Sequence, residues 1–402
     1  MNSFVVLWSK KRISKHGRLT SCLVLIALVM APLVCALIFS DSMMEGITSK
    51  YIYLSSGHLQ INAHTLEQAM ENISESDHRQ MIQYADEVTS GYALMYSATN
   101  TSSVMIKGVS STYFNDLRIA QLTFETDATE TIGATTNSNI KGIAISRATA
   151  KQLNVEIGDR VALMVVPDDA SKTLRPVLLR VQAIFHTGYD KLDQLLSFID
   201  LDYAKTLYPS IASTTVEIIV PPEYMENLDS VISALNLEGK NAISKWSSLN
   251  VAVFNNFVIS KQMIMIILLL VTVVAAFYTA SVAQQMIQDD MQDIAIVKLI
   301  GSSNAQVKKS AFISVYTVTL GGMIVGIGLG LLIGCNLGPI LTKLSNLGIQ
   351  GLSFYLLDFN ITIPWLSIGL ISVALMVISF VAIQISLLRT KLITPMRLFT
   401  EV

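Results

Sequence analysis

The sequence has little charge for its length. Of its 402 residues, 14% are charged and 51% are hydrophobic, whereas soluble domains carry about 25% charged residues. The net charge is only −2 and no block of basic residues stands out, so the clustered positive charge of a nucleic-acid-binding protein is absent. This composition predicts a protein of the lipid bilayer and excludes nucleic acid as a partner.

Cysteine is scarce as well, and its three positions, Cys22, Cys35 and Cys335, fall inside apolar stretches. Cys22 and Cys35 lie thirteen residues apart on one predicted helix, too far for a bridge between them. We therefore expect no disulfide in the soluble part of the chain, and small apolar packing for all three cysteines.

The motifs of nucleotide-consuming and catalytic chains are missing. No G-x-x-x-x-G-K-[ST], H-E-x-x-H or G-x-S-x-G pattern occurs. The five histidines lack zinc-type spacing with cysteine, and we interpret His58 and His64 as ordinary polar residues instead of metal ligands. The sequence predicts a non-catalytic chain without metal or cofactor, so an energy-using role requires a separate subunit.

Four charge-free runs are long enough to cross a membrane, which takes about 20 apolar residues. They are 19–40, 262–288, 310–342 and 359–388, the last with its helix predicted at 365–388. The first run follows basic residues, as in a secretory signal, but its 22 residues exceed a signal core and no A-x-A-like site follows it. A lipid-modified start at Cys35 is disfavoured by bulky Val34. We predict an uncleaved anchor.

Basic residues near helix ends predict the orientation of the chain. They precede the first run, lie between the second and third, and follow the fourth, while Lys343 alone marks the remaining connection. We expect a multi-pass membrane protein with both termini in the cytoplasm. The predicted parts are a cytoplasmic interfacial segment 1–18, spans 19–40, 262–288, 310–342 and 365–388, a periplasmic domain 41–260, a cytoplasmic loop 289–309, a short periplasmic loop 343–364 and a cytoplasmic tail 389–402.

The amino-terminal segment places Phe4, Leu7 and Trp8 beside basic residues. This pattern suits an interfacial helix under the membrane, and a plain charged tail is the competing interpretation.

The outer segment alternates strand-like and helix-like stretches. Strands are predicted at 58–62, 103–109, 160–166, 176–184 and 214–220, and helices at 146–153 and 222–235. We predict an α+β domain with two lobes.

The loop after the second run predicts a short helix. Acidic Asp289, Asp290 and Asp293 open it, as the helix dipole favours, and Gly301 can end it in a left-handed conformation. Ser303 and Gln306 form a capping box for the third membrane helix. Spacing of three and four residues gives a mostly apolar stripe of Met291, Ile294, Ala295 and Lys298. The stripe suits either the membrane surface or a groove in a cytoplasmic partner.

The third run repeats glycine every four residues, at Gly322, Gly326, Gly330, Gly334 and Gly338. This small-xxx-small spacing allows another backbone to approach closely. The contact is interpreted either as static packing or as a sliding surface for conformational change. Ala276 and Ala280 of the second run offer a complementary face.

The layout of spans and domains resembles the FtsX/MacB class of ABC transporter permeases, and within it the lipoprotein-releasing (Lol-type) permease subunit. Ser56–Ile61 is similar to a strand that follows the first helix in that family. Asp293–Gly301 resembles its E-I-A-I-L-x-x-x-G coupling segment, with Asp for Glu, and Thr394–Leu398 resembles its P-x-x-A-L ending, with Arg397 in place of a small residue.

The resemblance implies four membrane helices with a MacB-like periplasmic domain, and a cytoplasmic ABC ATPase dimer that seats a coupling helix. The residues of this coupling helix would be Met291, Asp293, Ile294, Ala295, Ile296, Val297, Lys298, Leu299, Ile300 and Gly301. It further implies a second permease chain, a lipoprotein substrate drawn from membrane lipid, and a periplasmic lipoprotein carrier. A candidate carrier-contact loop contains Pro167, Asp168, Asp169, Arg175 and Pro176, but it is shorter than the family's loop.

Two other roles stay open for this layout. One is an FtsX-like regulator that transmits ATP hydrolysis to cell-wall hydrolases outside the membrane. The other is mechanical transmission to an efflux pump, although such relatives usually carry the ATPase in the same chain.

Overall fold

The structure is a computed structural model that describes residues 9, 17–62, 66–67, 69, 79–125, 141–165, 176–209, 214–235, 243–345 and 361–388. The chain divides into two compact units. The helical unit consists of 1–43, 256–341 and 360–402, and the outer unit consists of 44–255 and 342–359.

Four helices among the described residues are long and apolar enough to cross a membrane. They are α1 (Gly17–Tyr51), α8 (Val251–Asp289), α10 (Asn304–Cys335) and α12 (Trp365–Leu388). A mixed α and β region lies between α1 and α8, so the predicted fold class is confirmed.

The first two long helices exceed the predicted apolar runs. α1 has 35 residues and α8 has 39, so each is about 50–60 Å long at 1.5 Å per residue, against about 30 Å of hydrocarbon. α1 closes in a π-helical turn, Ile52–Ser56. Two short helices flank α10, α9 (Met291–Leu299) before it and α11 (Leu337–Ser345) after it.

The helical unit has one apolar core. Side chains of all four long helices and of α9 are buried together, among them Ile26, Ala275, Ile294, Val315 and Leu375. The helices therefore pack as one bundle and do not stand as separate spans.

The outer unit contains one ten-stranded sheet. Its strands are β1 (Leu59–Ile61), β2 (Tyr84–Tyr96), β3 (Thr101–Val109), β4 (Thr123–Phe124), β5 (Lys141–Ser146), β6 (Arg160–Val165), β7 (Val177–His186), β8 (Leu196–Asp200), β9 (Thr214–Ile219) and β10 (Ile243–Lys245). The order is β10-β1-β9-β2-β3-β8-β5-β7-β4. Because β6 pairs with both β2 and β7, six of the strands close into a ring.

Short helices complete the outer unit. They are α2 (Asp116–Ile119), α3 (Arg147–Leu153), α4 (Asp190–Asp193), α5 (Leu201–Leu207), α6 (Leu228–Ala234) and α7 (Trp246–Leu249). One apolar cluster, including Met95, Ile145 and Leu163, fills the ring of strands. A second, including Ile61 and Val216, lies between β1, β9 and α6. Both clusters lie against one sheet in one compact unit, so the two lobes expected from the sequence stay a prediction.

Candidate functional site in the helical unit and its loop

Four glycines of α10 lie directly against α1. They are Gly322, Gly326, Gly330 and Gly334. A Cβ atom added at Gly330 would lie 2.7 Å from Cβ of Val34 and 2.8 Å from the carbonyl oxygen of Ala31. Ordinary contacts begin at 3.4 Å, so the missing side chains allow the two backbones to come close.

Two expectations about this contact are wrong. Gly338 belongs to α11, and a Cβ added there would have no atom within 4 Å, so it does not make the close contact of the other four glycines. The partner is also α1 and not α8. The small residues of α8 are buried elsewhere: Ser386 Oγ of α12 donates a hydrogen bond to the carbonyl oxygen of Ala280 at 2.8 Å.

The loop helix α9 has the ends that the sequence predicts. It follows α8 after a single residue, Asp290, whose carbonyl oxygen accepts a hydrogen bond from the backbone N–H of Ile294 at 2.8 Å. Gly301 has φ of 108°, a left-handed conformation that favours glycine. Ser303 and Gln306 form the predicted capping box at the start of α10.

The exposed face of α9 differs from the predicted stripe. Ile294 is only 2% exposed because it packs into the core of the helical unit, and Met291 and Ala295 are half-buried. That face is therefore covered by the chain's own helices.

The apolar side chains that α9 exposes lie at other positions. Ile296 is 56% exposed, Leu299 72% and Ile300 82%, with a spacing of three and four residues that places them on one side of a helix. Asp293 and Gln292 are exposed as well, and Val297 is half-buried. Outside the bilayer such a patch would meet water, which indicates a contact surface.

The outer unit also exposes apolar side chains, on one face of its sheet. Leu94 of β2 pairs with Met164 of β6, and Ala162 of β6 pairs with Leu178 of β7, so these four side chains share a face. Leu94 and Leu178 are exposed, as is Tyr92 two residues before Leu94.

Two arginines continue this sheet face. Arg160 pairs directly with Arg180, and both are exposed. Like charges directly opposite each other destabilise a sheet, so this exposed pair gives the sheet face a local positive charge.

The predicted carrier-contact loop lies between β6 and β7 in the sequence. Pro176 is exposed just before β7, while Pro167, Asp168, Asp169 and Arg175 lie outside the described residues. The interfacial segment, apart from Ser9 and residues 17–18, and the tail 389–402 lie outside them as well.

Residues 265–395 match the FtsX-like permease C-terminal family. The match covers α8 from its first third onward, the loop helix α9, the glycine-bearing α10 and α12. The carboxy-terminal part of the chain is thus similar to FtsX-like permeases over these residues. Both the exposed loop-helix patch and the glycines of α10 lie within the matched residues.

The chain is similar to subunits of lipoprotein-releasing systems. It is 26% identical over 255 residues to the lipoprotein-releasing system transmembrane protein LolE of Haemophilus influenzae, covering 60% of each chain. It is 23% identical over 262 residues to LolC of Xylella fastidiosa strain 9a5c, covering 63% of each chain. The chain thus spans about three fifths of the length of these curated relatives.

Among solved structures, the extracellular domain of the noncanonic ABC-type transporter YknZ from Gram-positive bacteria aligns with 44% of this chain and 87% of its own. The TM-score is 0.28 and the identity 12%, a likeness too slight to bear on the fold.

Proposed function

We propose that this chain is the permease subunit of an ABC transporter in the bacterial inner membrane. In this proposal it extracts lipoproteins from the outer leaflet for transfer toward the outer membrane, works with a second permease chain, and is driven by a separate cytoplasmic ATPase. The observation that carries the proposal is the match to FtsX-like permeases together with an exposed apolar patch on the loop helix. The likeness to LolE and LolC supports the choice of substrate.

The patch of Ile296, Leu299 and Ile300 is the proposed contact with the ATPase. Burial of one isoleucine or leucine side chain contributes about 1.5–3 kcal/mol. Three such side chains on one side of a helix form a typical anchor for a helix that binds in a groove. Gly301 ends the helix next to this patch, so the patch lies at the tip of the loop. The ATPase would thereby act on both α8 and α10, which α9 connects.

The proposed carrier contact is the exposed sheet face of the outer unit around Tyr92, Leu94 and Leu178. Tyrosine and apolar side chains form the usual centre of protein interfaces, and Arg160 and Arg180 at its edge favour an acidic partner surface.

The substrate proposal is tested in proteoliposomes that contain the chain, its ATPase and a triacylated lipoprotein. ATP should release the lipoprotein to a soluble carrier. If ATP is hydrolysed but no lipoprotein is released, the proposal that lipoproteins are the substrate is wrong. Copurification of a peptidoglycan hydrolase without any lipoprotein would favour the FtsX-like regulator instead.

The ATPase contact is tested by Ile300→Asp, which should weaken ATPase binding at least about tenfold, or about 1.4 kcal/mol. Lys343→Ala is the matched control, because Lys343 is exposed beyond the other end of α10. Equal ATPase affinity in both variants would remove α9 from the interface.

A further inference from the structure

A cluster of four charged side chains is enclosed in the outer unit. Lys107 Nζ lies 2.7 Å from Glu217 Oε1, and these side chains are 1% and 0% exposed. Arg118 Nη1 lies 2.6 Å from Asp86 Oδ2, and Arg118 is also 3.9 Å from Glu217. Two cations and two carboxylates thus meet in the interior, away from the contacts proposed above.

The two cations also hold the end of the first membrane helix. Lys107 Nζ donates hydrogen bonds to the carbonyl oxygens of Leu54 at 2.8 Å and Ser55 at 3.1 Å. Arg118 Nε donates to the carbonyl oxygen of Tyr53 at 3.0 Å. These three carbonyls belong to the π-helical turn that closes α1. Carbonyls at a helix end lack partners within the helix, and cations are favourable there.

Tyr113 completes the enclosure. The Arg118 guanidinium lies 3.7 Å from the centre of the Tyr113 ring, and the Tyr113 hydroxyl lies 3.4 Å from the carbonyl oxygen of Leu54. Burial raises the pKa of Tyr113 well above its usual value, so the hydroxyl stays protonated and remains a donor. The turn is therefore surrounded by donors from β3 and from the Tyr113–Arg118 segment.

Stability alone explains this arrangement poorly. Apolar side chains of similar volume often stabilise a protein as well as a buried ion pair does, because removing charges from water is costly. Removal of one partner, by contrast, leaves an uncompensated buried charge. The cluster therefore favours the geometry of the turn in which all four charges are paired.

The chain connects the outer unit to a long helix a second time, from α7 into α8. The hydrogen bonds at this connection come from neutral groups and not from buried charges. Between α7 and α8, Asn250 Nδ2 donates to Ser56 Oγ at 3.3 Å, and the backbone N–H of Trp246 donates to the carbonyl oxygen of His58 at 3.1 Å. In the described part of this connection the ion pair present is Lys245–Asp229, with side chains 32% and 79% exposed. Buried charges are thus concentrated at the end of α1.

We propose that Lys107 and Arg118 are positioning residues that fix the end of α1 to the sheet of the outer unit, so that a displacement of α1 reaches the sheet undiminished. The inference rests on the proposed function, in which a cytoplasmic ATPase acts on α8 and α10. Because the glycines of α10 pack against α1, it assigns to α1 the transmission of that movement to the outer unit.

The experiment measures the distance between two spin labels, at Glu45→Cys near the end of α1 and Ser103→Cys on β3, in the full chain with Cys22, Cys35 and Cys335 replaced by alanine. Both label sites are exposed and lie in the outer unit. The distance distribution should be narrow in the otherwise unchanged chain. In Lys107→Met it should become about twofold broader, as expected when a local segment is released.

Two further variants separate positioning from folding. Lys107→Met/Glu217→Gln leaves no uncompensated charge, so the outer unit should keep its melting temperature while the distribution stays broad. Lys205→Met is the matched control, because its partly exposed ion pair with Glu87, at 2.6 Å, lies away from the turn. It should leave the distribution narrow.

The proposal is overturned if the double variant keeps a narrow distribution. In reconstituted transporter, the double variant should also lose lipoprotein release while ATP hydrolysis continues. If the unchanged transporter releases no lipoprotein, the proposed substrate fails, but the label distances still decide whether the cluster positions the turn.

Discussion

The glycine contact between α10 and α1 allows a graded test of helix packing. Gly330→Ala adds one methyl group, which would lie 2.8 Å from the Ala31 carbonyl oxygen, so the helices must separate locally by roughly 0.6 Å to reach an ordinary contact. Overpacking of this kind costs about 1–3 kcal/mol. Alanine also favours a helix over glycine by about 0.5–1 kcal/mol, which partly offsets that cost.

A matched control removes the helix-propensity contribution. Gly328 lies on the same helix, but a Cβ added there would have no atom within 4 Å. Gly328→Ala should therefore be neutral or slightly stabilising. The difference between the two variants is expected to be about 1–3 kcal/mol, all of it from packing.

The four contact glycines should differ among themselves. Added methyl groups at Gly322 and Gly326 would meet backbone atoms of α1 at 2.8 Å and 3.0 Å, which cannot move independently. At Gly334 the nearest atom is Cδ1 of Ile38 at 2.5 Å, the end of a flexible side chain. Gly334→Ala should therefore cost least of the four.

The assay is thermal unfolding of the full chain in mild detergent, followed by circular dichroism. Gly330→Ala should lower the midpoint by several degrees relative to Gly328→Ala, since 1 kcal/mol corresponds to about 2–4 °C in a chain of this order of size. Equal midpoints would refute the reasoning, because they would mean that α1 is not held against α10 in the native protein.

Three further predictions concern the loop and the outer unit. Gly301→Val should uncouple ATP hydrolysis from transport, because a β-branched residue at φ of 108° costs about 1–3 kcal/mol; unchanged coupling would remove the role of the helix end. Ser303→Ala should destabilise the start of α10 by about 1 kcal/mol through loss of its cap, measured as faster amide exchange at residues 304–306 with exchange at 330–334 as the control. Burial lowers the pKa of His58 from 6.5 to about 4. Between these pH values the unfolded chain binds more protons than the folded chain. The free energy of unfolding of the outer unit should therefore fall by up to about 3 kcal/mol as pH falls from 6.5 to 4. His58 Nδ1 accepts the Val220 N–H at 3.1 Å, and His58→Asn should flatten the pH dependence measured by urea unfolding; an unchanged slope would contradict it.

The sequence predicted the glycine contact but not its partner. Spacing of four residues identifies one face of α10, because that periodicity is a local property of the helix. The choice between α1 and α8 depends on how the whole bundle packs. Ala276 and Ala280 have suitable spacing too, yet they are buried in other contacts.

For the loop helix α9, too, the local features were predictable and the packing was not. Its ends were predictable because Gly301 and Ser303 act on neighbouring backbone atoms. Its docking face was not, since apolar spacing identifies two candidate faces and the bundle covers the one with Ile294. Ile296, Leu299 and Ile300 are left as the exposed patch.

In the outer unit, charged residues hid strands from pattern analysis. β2 carries Asp86 and Glu87, whose partners Arg118 and Lys205 come from distant segments. The strand therefore lacks the alternation that identifies a half-buried strand. A signal for the buried cluster was nevertheless present, because Lys107 follows the apolar run 104–106 and Glu217 lies between Val216 and Ile218.

The position of β1 at the centre of its lobe sets an order for folding during synthesis. Leu59 pairs with Ile218 of β9 on one side and with Lys245 of β10 on the other. Neither neighbour exists until roughly 150 further residues have been made, which takes about 10–30 s at usual synthesis rates. Glu217 arrives with β9, so the ion pair of Lys107 with Glu217 cannot hold the end of α1 until most of the outer unit has been made.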